Sequence, residues 1–396
     1  MKVKLGKFIE SVGDGIHGTP IYSENGKYYF INGNCLNDGE IVLSSDLPKI
    51  SEKEFIKIQR CLGENTILLS INGTLGKTAY YNNEPIALGK SVCYINVKEN
   101  VNKYFVNYVL QTSAFKKYML NVSTGSTIKN FAPKQVMDYE FDLPSGLDSD
   151  KVAKTLKNID DKIKLNSKII LKLESLAKTI YDYWFLQFEF PNEDGKPYKS
   201  SDGKMVWNDE LKREIPEGWK VFQVKDFCDV FTGKKDVNQA LDTGKYKFFS
   251  CAPGYKYSND KLYTGKAILI SGNGSYTGRT IFVNDSFDLY QRTYACVMKP
   301  NYDNMLEYIF YTMKTFFVKR VSGGTHGSAI PYIVYNDIAN EHFYYNKEVV
   351  DTFVKTIEPI QEHIIELSNE SQKLASLRDF LLPMLMNGQV TFKEEA

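Results

Sequence analysis

Two stretches of this chain share a heptad pattern of apolar residues, and this pattern limits the possible folds more than any other feature of the sequence. In residues 151–186 the apolar side chains follow a pattern of alternating steps of three and four, in which Asn166 and Ala177 occupy the intermediate steps. That spacing predicts a helix that supercoils against another helix. At 1.5 Å per residue such a helix would be about 50 Å long, so we interpret it as a spacer. Its predicted seam consists of Leu156, Ile159, Ile163, Ile170 and Leu173.

The pattern returns 201 residues later, in residues 353–381. Two matching seams at one offset favour a helix pair over the alternative, which is two unrelated amphipathic helices on separate local cores. We expect Pro359 in the first turn of this helix or at a kink, and Pro383 at its end. The second predicted seam consists of Ile357, Ile360, Ile364, Leu367 and Leu374.

The same offset relates two globular regions that precede the helices. ILLSINGTLGKT at 67–78 resembles ILISGNGSYTGRT at 268–280, and 80–98 lies opposite 281–299. A period this long indicates duplicated domains rather than a solenoid. Short apolar runs closed by Asn-Gly predict strands, and helical spacing over 101–120 predicts a helix in the same domain. The predicted fold class is therefore α+β, with two mixed domains related by an internal repeat and each followed by a long helix.

These patterns divide the chain into four parts. The first domain is predicted at 1–147 and the first helix at 148–186. An ordered crossover and the second domain are predicted at 187–346, and the second helix with a C-terminal tail at 347–390.

Composition narrows the class of protein. Hydrophobic residues make up 43% of the 396 residues and charged residues 24%, which is enough for packed cores. The net charge of +1 means that an anionic partner must meet local basic patches. No signal peptide and no membrane-spanning stretch is visible, so we expect a soluble, cytoplasmic protein. No cysteine or histidine has metal-ligand spacing, so no metal site is predicted.

Catalytic motifs are missing from the sequence. The tripeptides at 76–78 and 89–91 resemble the end of a P-loop, but Ile71 and Glu84 stand where the first glycine is required. No glycine-rich dinucleotide fingerprint follows a strand. The sequence therefore predicts a non-enzyme that carries no cofactor.

Polar loops and lysines remain as a recognition surface for DNA. Lysines would contact phosphates, while Asn, Gln and Arg read base edges. Repeated strands with different loop residues predict two readers of different sequences. The alternative is that these residues form only solvated helix faces and ordinary turns. The predicted contacts in the first domain are Asn72, Thr74, Lys77, Lys90, Lys116, Lys117, Ser126, Thr127 and Lys129. Those in the second domain are Asn273, Ser275, Tyr276, Arg279, Gln291, Arg292, Lys319, Arg320, Thr325 and His326.

The stretch at 181–221, the segment GSTIKNF at 125–131 and the two helices resemble the specificity subunits of type I restriction–modification systems. This resemblance implies two target recognition domains, with the two helices packed as an antiparallel coiled coil. Each domain would read one half of a split DNA site, and the helix length would set the gap. The second loop departs from the first, because Ile330-Pro331 stands where a polar turn is expected.

The resemblance also implies partners. These are double-stranded DNA, two methyltransferase subunits docked on the helical region, and a restriction and translocase subunit. The methyl donor, ATP and Mg would belong to those subunits. Two other classes remain as alternatives. One is a self-contained restriction or modification enzyme, and the other is a non-catalytic coiled-coil scaffold that binds proteins rather than DNA.

Overall fold

The computed structural model describes residues 1–37, 39–125, 129–300, 302, 304–321, 326 and 330–392. The chain divides into two compact units. Met1–Lys164 and the stretch from Ser371 onward form the first unit, and Leu165–Glu370 forms the second. Each unit therefore contains part of both long helices.

The elements up to the first long helix are short strands and helices. The strands are β1 (Lys2–Lys4), β2 (Ile9–Asp14), β3 (Tyr28–Ile31), β4 (Leu36–Asn37), β5 (Glu40–Ile41), β6 (Lys49–Ile50), β7 (Thr66–Ser70), β8 (Thr78–Tyr80), β9 (Ile86–Leu88), β10 (Val92–Val97) and β11 (Glu140–Asp142). The helices are α1 (Glu52–Ile58), α2 (Lys103–Gln111), α3 (Ser113–Val122), α4 (Pro133–Asp138) and the long α5 (Ser149–Tyr181).

The elements after the first long helix repeat this organisation. The strands are β12 (Met205–Asn208), β13 (Arg213–Pro216), β14 (Lys220–Gln223), β15 (Cys228–Thr232), β16 (Tyr246–Phe249), β17 (Lys256–Ser258), β18 (Tyr263–Ser271), β19 (Thr280–Leu289), β20 (Thr293–Met298) and β21 (His342–Tyr345). The helices are α6 (Val224–Phe227), α7 (Leu306–Thr312), α8 (Val318–Val321), α9 (Tyr335–Ala339) and the long α10 (Lys347–Met386).

The main sheet of the first unit has the strand order β2-β10-β7-β8, with every pair antiparallel. All five residues of β7 are buried, including Thr66 and Ser70 at its two ends, and its centre is the apolar run at 67–69. The core of the unit joins this sheet to α2 and α3 through Phe105 and Phe115. A second small sheet has the order β6-β3-β9.

The second unit repeats the first four strands in the same order, as β15-β20-β18-β19, and extends them with β16 and β17. Strands β10 and β20 lie 201 residues apart at both ends. The terminal pair β1–β11 has its counterpart in β14–β21. The internal repeat predicted from the sequence is confirmed as a repeat of topology.

The crossover between the units is ordered because its aromatic residues are buried. Phe188, Phe190 and Trp219 belong to the core of the second unit. Trp219 contacts both phenylalanines, with ring centroids 6.0 and 5.3 Å apart. Between them β12 and β13 form an antiparallel hairpin. Aromatic burial thus fastens a segment rich in glycine and charge to the second unit.

The two long helices run antiparallel, as predicted. In the first unit the start of α5 packs on the end of α10, where Leu156 and Leu385 share one core. In the second unit the end of α5 packs on the start of α10, where the rings of Tyr181 and Phe353 lie 6.0 Å apart. Asn166 is a buried polar residue in the seam, and its Nδ2 donates to Oε2 of Glu370 at 2.7 Å. A polar pair in a helix seam selects one register.

The seam residues of both helices are buried or half-buried. One expectation about the end of a helix was wrong, because Pro383 lies inside α10 rather than at its end. Helix α10 begins at Lys347, so Pro359 is not in its first turn, and a kink at Pro359 stays a prediction. Both prolines are exposed. Burial of Leu385 and Met386 in the core of the first unit keeps the chain helical beyond Pro383.

The helix predicted over 101–120 was right in position and wrong in continuity. This stretch divides into α2 and α3 at Thr112, whose hydroxyl accepts from the backbone N–H of Phe115. In the second unit α7, a π-helical turn at Met313–Phe317 and α8 follow one another without a break. Within the described residues, no helix combines the length and apolar character needed to cross a membrane.

An ion-pair network joins the sheet of the second unit to two of its helices. Nζ of Lys266 on β18 lies 2.8 Å from Oε1 of Glu307 on α7 and 2.5 Å from Oε1 of Glu358 on α10. Glu307 is only 1% exposed. A carboxylate that deeply buried depends on its cation, because an isolated buried charge is very unfavourable.

We predict that Lys266→Met destabilises the second unit by about 3 kcal/mol, since it leaves the Glu307 carboxylate buried without a cation. Urea denaturation followed by fluorescence measures the loss. The matched control is Lys256→Met, which removes an exposed pair with Asp242 and should change stability little. Equal unfolding midpoints for the two variants would contradict this prediction.

Candidate nucleic-acid interface

A tight loop follows β7 in the first unit and carries three of the predicted contacts. The backbone N–H of Gly76 donates to the carbonyl of Ser70 at 3.0 Å, and the N–H of Lys77 donates to the Ser70 hydroxyl at 2.8 Å. Gly73 and Gly76 have φ of 70° and 84°, a conformation that favours glycine. Between these points lie Asn72, half-buried, and Thr74, exposed. Lys77 itself is half-buried.

Two further segments close on this loop. The backbone N–H of Phe131 donates to the carbonyl of Ile71 at 2.9 Å, and Asn72 pairs with Asn130 in an isolated antiparallel bridge. The exposed Lys129 comes directly before this bridge. On the other side the N–H of Ile71 donates to the carbonyl of Ser91 at 2.9 Å, so the turn that contains exposed Lys90 borders the loop. Predicted contacts that are distant in sequence are therefore neighbours.

Helix α3 lies beneath the same loop. Lys116 is close to the loop: if Gly76 carried a Cβ atom, that atom would lie 4.0 Å from Cγ of Lys116, which is van der Waals contact. Lys116 and Lys117 are both exposed. These two cations are in a position to meet phosphates beside groups that can read bases.

The second unit builds its loop with the same backbone hydrogen bonds. The N–H of Gly278 donates to the carbonyl of Ser271 at 2.8 Å, and the N–H of Ile333 donates to the carbonyl of Gly272 at 2.9 Å. Asn273 bridges Tyr332 as Asn72 bridges Asn130. The backbone frame of the loop is thus conserved between the two units.

The segment that departs from the first unit in sequence is part of this frame. The carbonyl of Pro331 accepts from the N–H of Gly274 at 3.0 Å and from the hydroxyl of Thr277 at 3.0 Å. A proline can serve here because only its carbonyl is used. The apolar pair at 330–331 therefore does not prevent the second loop from closing.

The side chains that the second loop presents differ from those of the first. Ser275 and Tyr276 are exposed, and Tyr276 keeps 46% of its surface. Arg279 is half-buried, and burial lowers the pKa of its guanidinium. His326 stacks on Tyr332 with ring centroids 5.2 Å apart. The second loop is thus more aromatic than the first.

Some predicted contacts have partners inside the protein. Nε2 of Gln291 donates to Oδ2 of Asp236 at 3.1 Å. Arg320 donates from Nη2 to Oε2 of Glu341 at 2.5 Å and to the carbonyl of Asp337 at 2.9 Å. Burial raises the pKa of Glu341, and the Arg320 guanidinium opposes that rise. Arg320 therefore ties α8 to the chain before β21.

The remaining predicted contacts fall into two groups. Arg292 and Lys319 are exposed, and the carbonyl of Arg292 accepts from the N–H of Gly272 at 2.9 Å, so the Arg292 turn borders the second loop. Ser126, Thr127 and Thr325 lie outside the described residues.

The sequence reasoning missed residues that build the loops. Ser70 and Ser271 close them, and both serines end matching apolar runs at the 201-residue offset, so the repeat could have identified them. Tyr332 could not have been found this way, because its pairing with Asn273 joins segments that are distant in the sequence.

The chemistry available at the loops is recognition by hydrogen bonds and charge. Their exposed groups are amides, hydroxyls, a phenol and cations, which suit base edges and phosphates. Among the described residues, no group of three or more His, Cys, Asp or Glu is placed to hold a metal ion.

Burial raises the pKa of the Cys228 thiol to about 12, so this thiol is neutral and poorly nucleophilic.

Comparison with known proteins identifies the family. A sequence profile of the type I restriction modification DNA specificity domain matches residues 1–175 and 216–345. The type I restriction enzyme MjaIX specificity subunit of Methanocaldococcus jannaschii is 25% identical over 374 residues, which cover 89% of this chain and 84% of that protein. The EcoDI specificity subunit of Escherichia coli is 29% identical over 191 residues, which cover 45% of this chain and 40% of that protein.

A solved structure shares the fold. The S subunit of the type I restriction–modification system from M. genitalium aligns with a TM-score of 0.60 at 15% identity, and the alignment covers 99% of this chain and 96% of that one. The family profile matches one segment in each half of the chain, and each segment contains one of the two loops. The chain belongs to the type I restriction modification DNA specificity domain family.

Proposed function

We propose that this chain is the DNA sequence-recognition subunit of a type I restriction–modification complex and has no catalytic role of its own. Each unit reads one half of a split, asymmetric DNA site. The observation that carries the proposal is the loop frame that occurs once in each unit, with the same backbone hydrogen bonds and different side chains. A shared frame gives both loops one way of docking, and different side chains give them different sequences to read.

The helix pair sets the gap between the two half-sites. Helices α5 and α10 contribute to both units and are continuous over 33 and 40 residues. In the second unit their register is selected by Asn166 with Glu370, and in the first unit by Asp160, whose Oδ1 lies 2.9 Å from Nη1 of Arg378. A helix pair that cannot slide keeps a constant spacing.

The helices also dock the methyltransferase subunits in this proposal. In the second unit Leu165, Leu171 and Leu176 are exposed on α5, and Leu171 keeps 65% of its surface. In the first unit Leu377 and Phe380 are exposed on α10. Exposed large apolar side chains on a helix are typical of a protein-binding surface. The partner subunits would bring the methyl donor, ATP and Mg, together with restriction and translocation.

Methylation mapping tests this function directly. Cells expressing the chain with its neighbouring methyltransferase should carry modified adenines in two short half-sites with a constant gap. A continuous palindrome would mean that one unit acts alone in a dimer. An assembled complex that modifies no DNA would instead support a scaffold that binds only proteins.

We predict that the two loops can be altered independently. Asn72→Ala should relax or abolish recognition of one half-site, and Asn273→Ala should affect only the other. Losing a paired base contact costs about 1–3 kcal/mol, so methylation at the original sites should fall several-fold or more. Each variant serves as the matched control of the other, and methylation mapping reads both. If both variants alter the same half-site, the assignment of one half per unit is wrong.

We predict that shortening both helices together narrows the gap. Because Asn166 faces Glu370, deleting 163–169 together with 368–374 removes one heptad from each helix while keeping the seam in phase. The loss of seven residues shortens the pair by about 10 Å, which corresponds to about 3 base pairs. Mapping should show the same two half-sites with a smaller gap.

The control for this experiment is the deletion of 163–169 alone. It leaves helices of unequal length, and we expect it to abolish methylation because the facing residues no longer match. An unchanged gap in the double deletion would refute the spacer role.

A further inference from the structure

A pocket lined by aromatic residues lies where the crossover meets the start of α10 in the second unit. It has a volume of about 410 Å³, and Trp184, Phe190, Tyr198 and Trp219 contribute aromatic surface to it. Phe190 and Trp219 are 5% and 8% exposed, while Tyr198 and Trp184 are half-buried. The rings of Phe190 and Tyr198 stack with centroids 4.6 Å apart, so these two residues form one aromatic side of the pocket.

Three carboxylates also line this pocket: Glu193, Glu217 and Glu348, all exposed. Lys204 pairs with Glu217, with Nζ 2.5 Å from Oε1. Within the described ranges of the chain, no lysine or arginine pairs with Glu193 or Glu348. Aromatic faces and uncompensated carboxylates together attract a cation, and arginine is the cation most often found on aromatic faces.

Elsewhere in the same unit, an arginine of the chain itself already occupies an aromatic site. The guanidinium of Arg213 lies 4.8 Å from the ring centre of Phe188 and 5.3 Å from that of Tyr344. Its Nη2 also donates to the carbonyl of Leu186 at 3.2 Å. Arginine on aromatic rings is therefore part of how this region is built, and the neighbouring pocket offers similar rings with carboxylates in place of the carbonyl.

The indole N–H groups of the pocket indicate what kind of molecule the bound cation belongs to. The indole N–H of Trp207 donates to Asp209 at 3.1 Å, whereas in the part of the chain that the structure describes those of Trp184 and Trp219 have no protein acceptor. A peptide carbonyl satisfies such a donor, and a free cation does not. The combination fits an arginine presented by a polypeptide.

We propose that this pocket binds an arginine side chain of a partner polypeptide, with the guanidinium between the aromatic rings and the carboxylates of Glu193 and Glu348. The partner is thus defined by chemistry, as an exposed arginine on an extended or loop segment. None of the pocket residues belongs to the DNA-reading loops, so this proposal does not depend on the proposed function.

The fluorescence of the two pocket tryptophans tests the proposal on the full chain. Trp207 lies outside the pocket, so Trp207→Phe provides a background in which only Trp184 and Trp219 report. The probe is a blocked Gly-Arg-Gly peptide, and the matched control is the same peptide with citrulline, which has nearly the same shape and no charge. We expect a saturable change with the arginine peptide and binding at least about 5-fold weaker with citrulline.

Two further variants assign the binding to the carboxylates. The double variant Glu193→Gln, Glu348→Gln should bind the arginine peptide at least about 5-fold more weakly. Glu362→Gln changes an exposed carboxylate elsewhere on α10 and should leave binding unchanged. The proposal is overturned if the arginine peptide gives no saturable change, if citrulline binds equally well, or if the double variant binds like the Trp207→Phe background.

Discussion

The hydrophobic cores of both units are built around the buried seam between α5 and α10. In the first unit the core joins Leu156 of α5 to Leu385 of α10, and in the second unit it joins Tyr181 to Phe353. Both helices therefore complete both cores. Removing either helix would expose apolar surface in each unit, so the spacer and the recognition units are stable only together.

The recognition loops depend in turn on pairing between distant segments. Each loop is closed at its base by a serine carbonyl and at its side by a bridge, Asn72 with Asn130 in one unit and Asn273 with Tyr332 in the other. Because these hydrogen bonds join backbone groups, the side chains of the loop can vary while the backbone conformation of the loop stays the same. The same physical division explains how a duplicated scaffold can present two different recognition surfaces.

Charge is used in two separate ways in the second unit. Lys266 neutralises the buried Glu307 and binds the sheet to its helices, and Arg320 is held by Glu341. The pocket at the crossover is instead lined by Glu193 and Glu348 together with aromatic residues. The cations beside Glu307 and Glu341 offset the cost of burying those carboxylates. Among the residues that the structure describes, the carboxylates of Glu193 and Glu348 have no such cation and are suited to a cationic partner.

The helix seams, the duplication and the buried strands that precede the loops can be predicted from the sequence, because each is a local periodicity or a repeat at constant offset. Three other features became visible only in the folded chain. These are the segments that close on the loops, the pairing of Glu341 with Arg320, and the continuation of α10 through Pro383. These features depend on contacts between residues far apart in the chain. Burial of Leu385 and Met386, for example, overrides the local preference of a proline to end a helix.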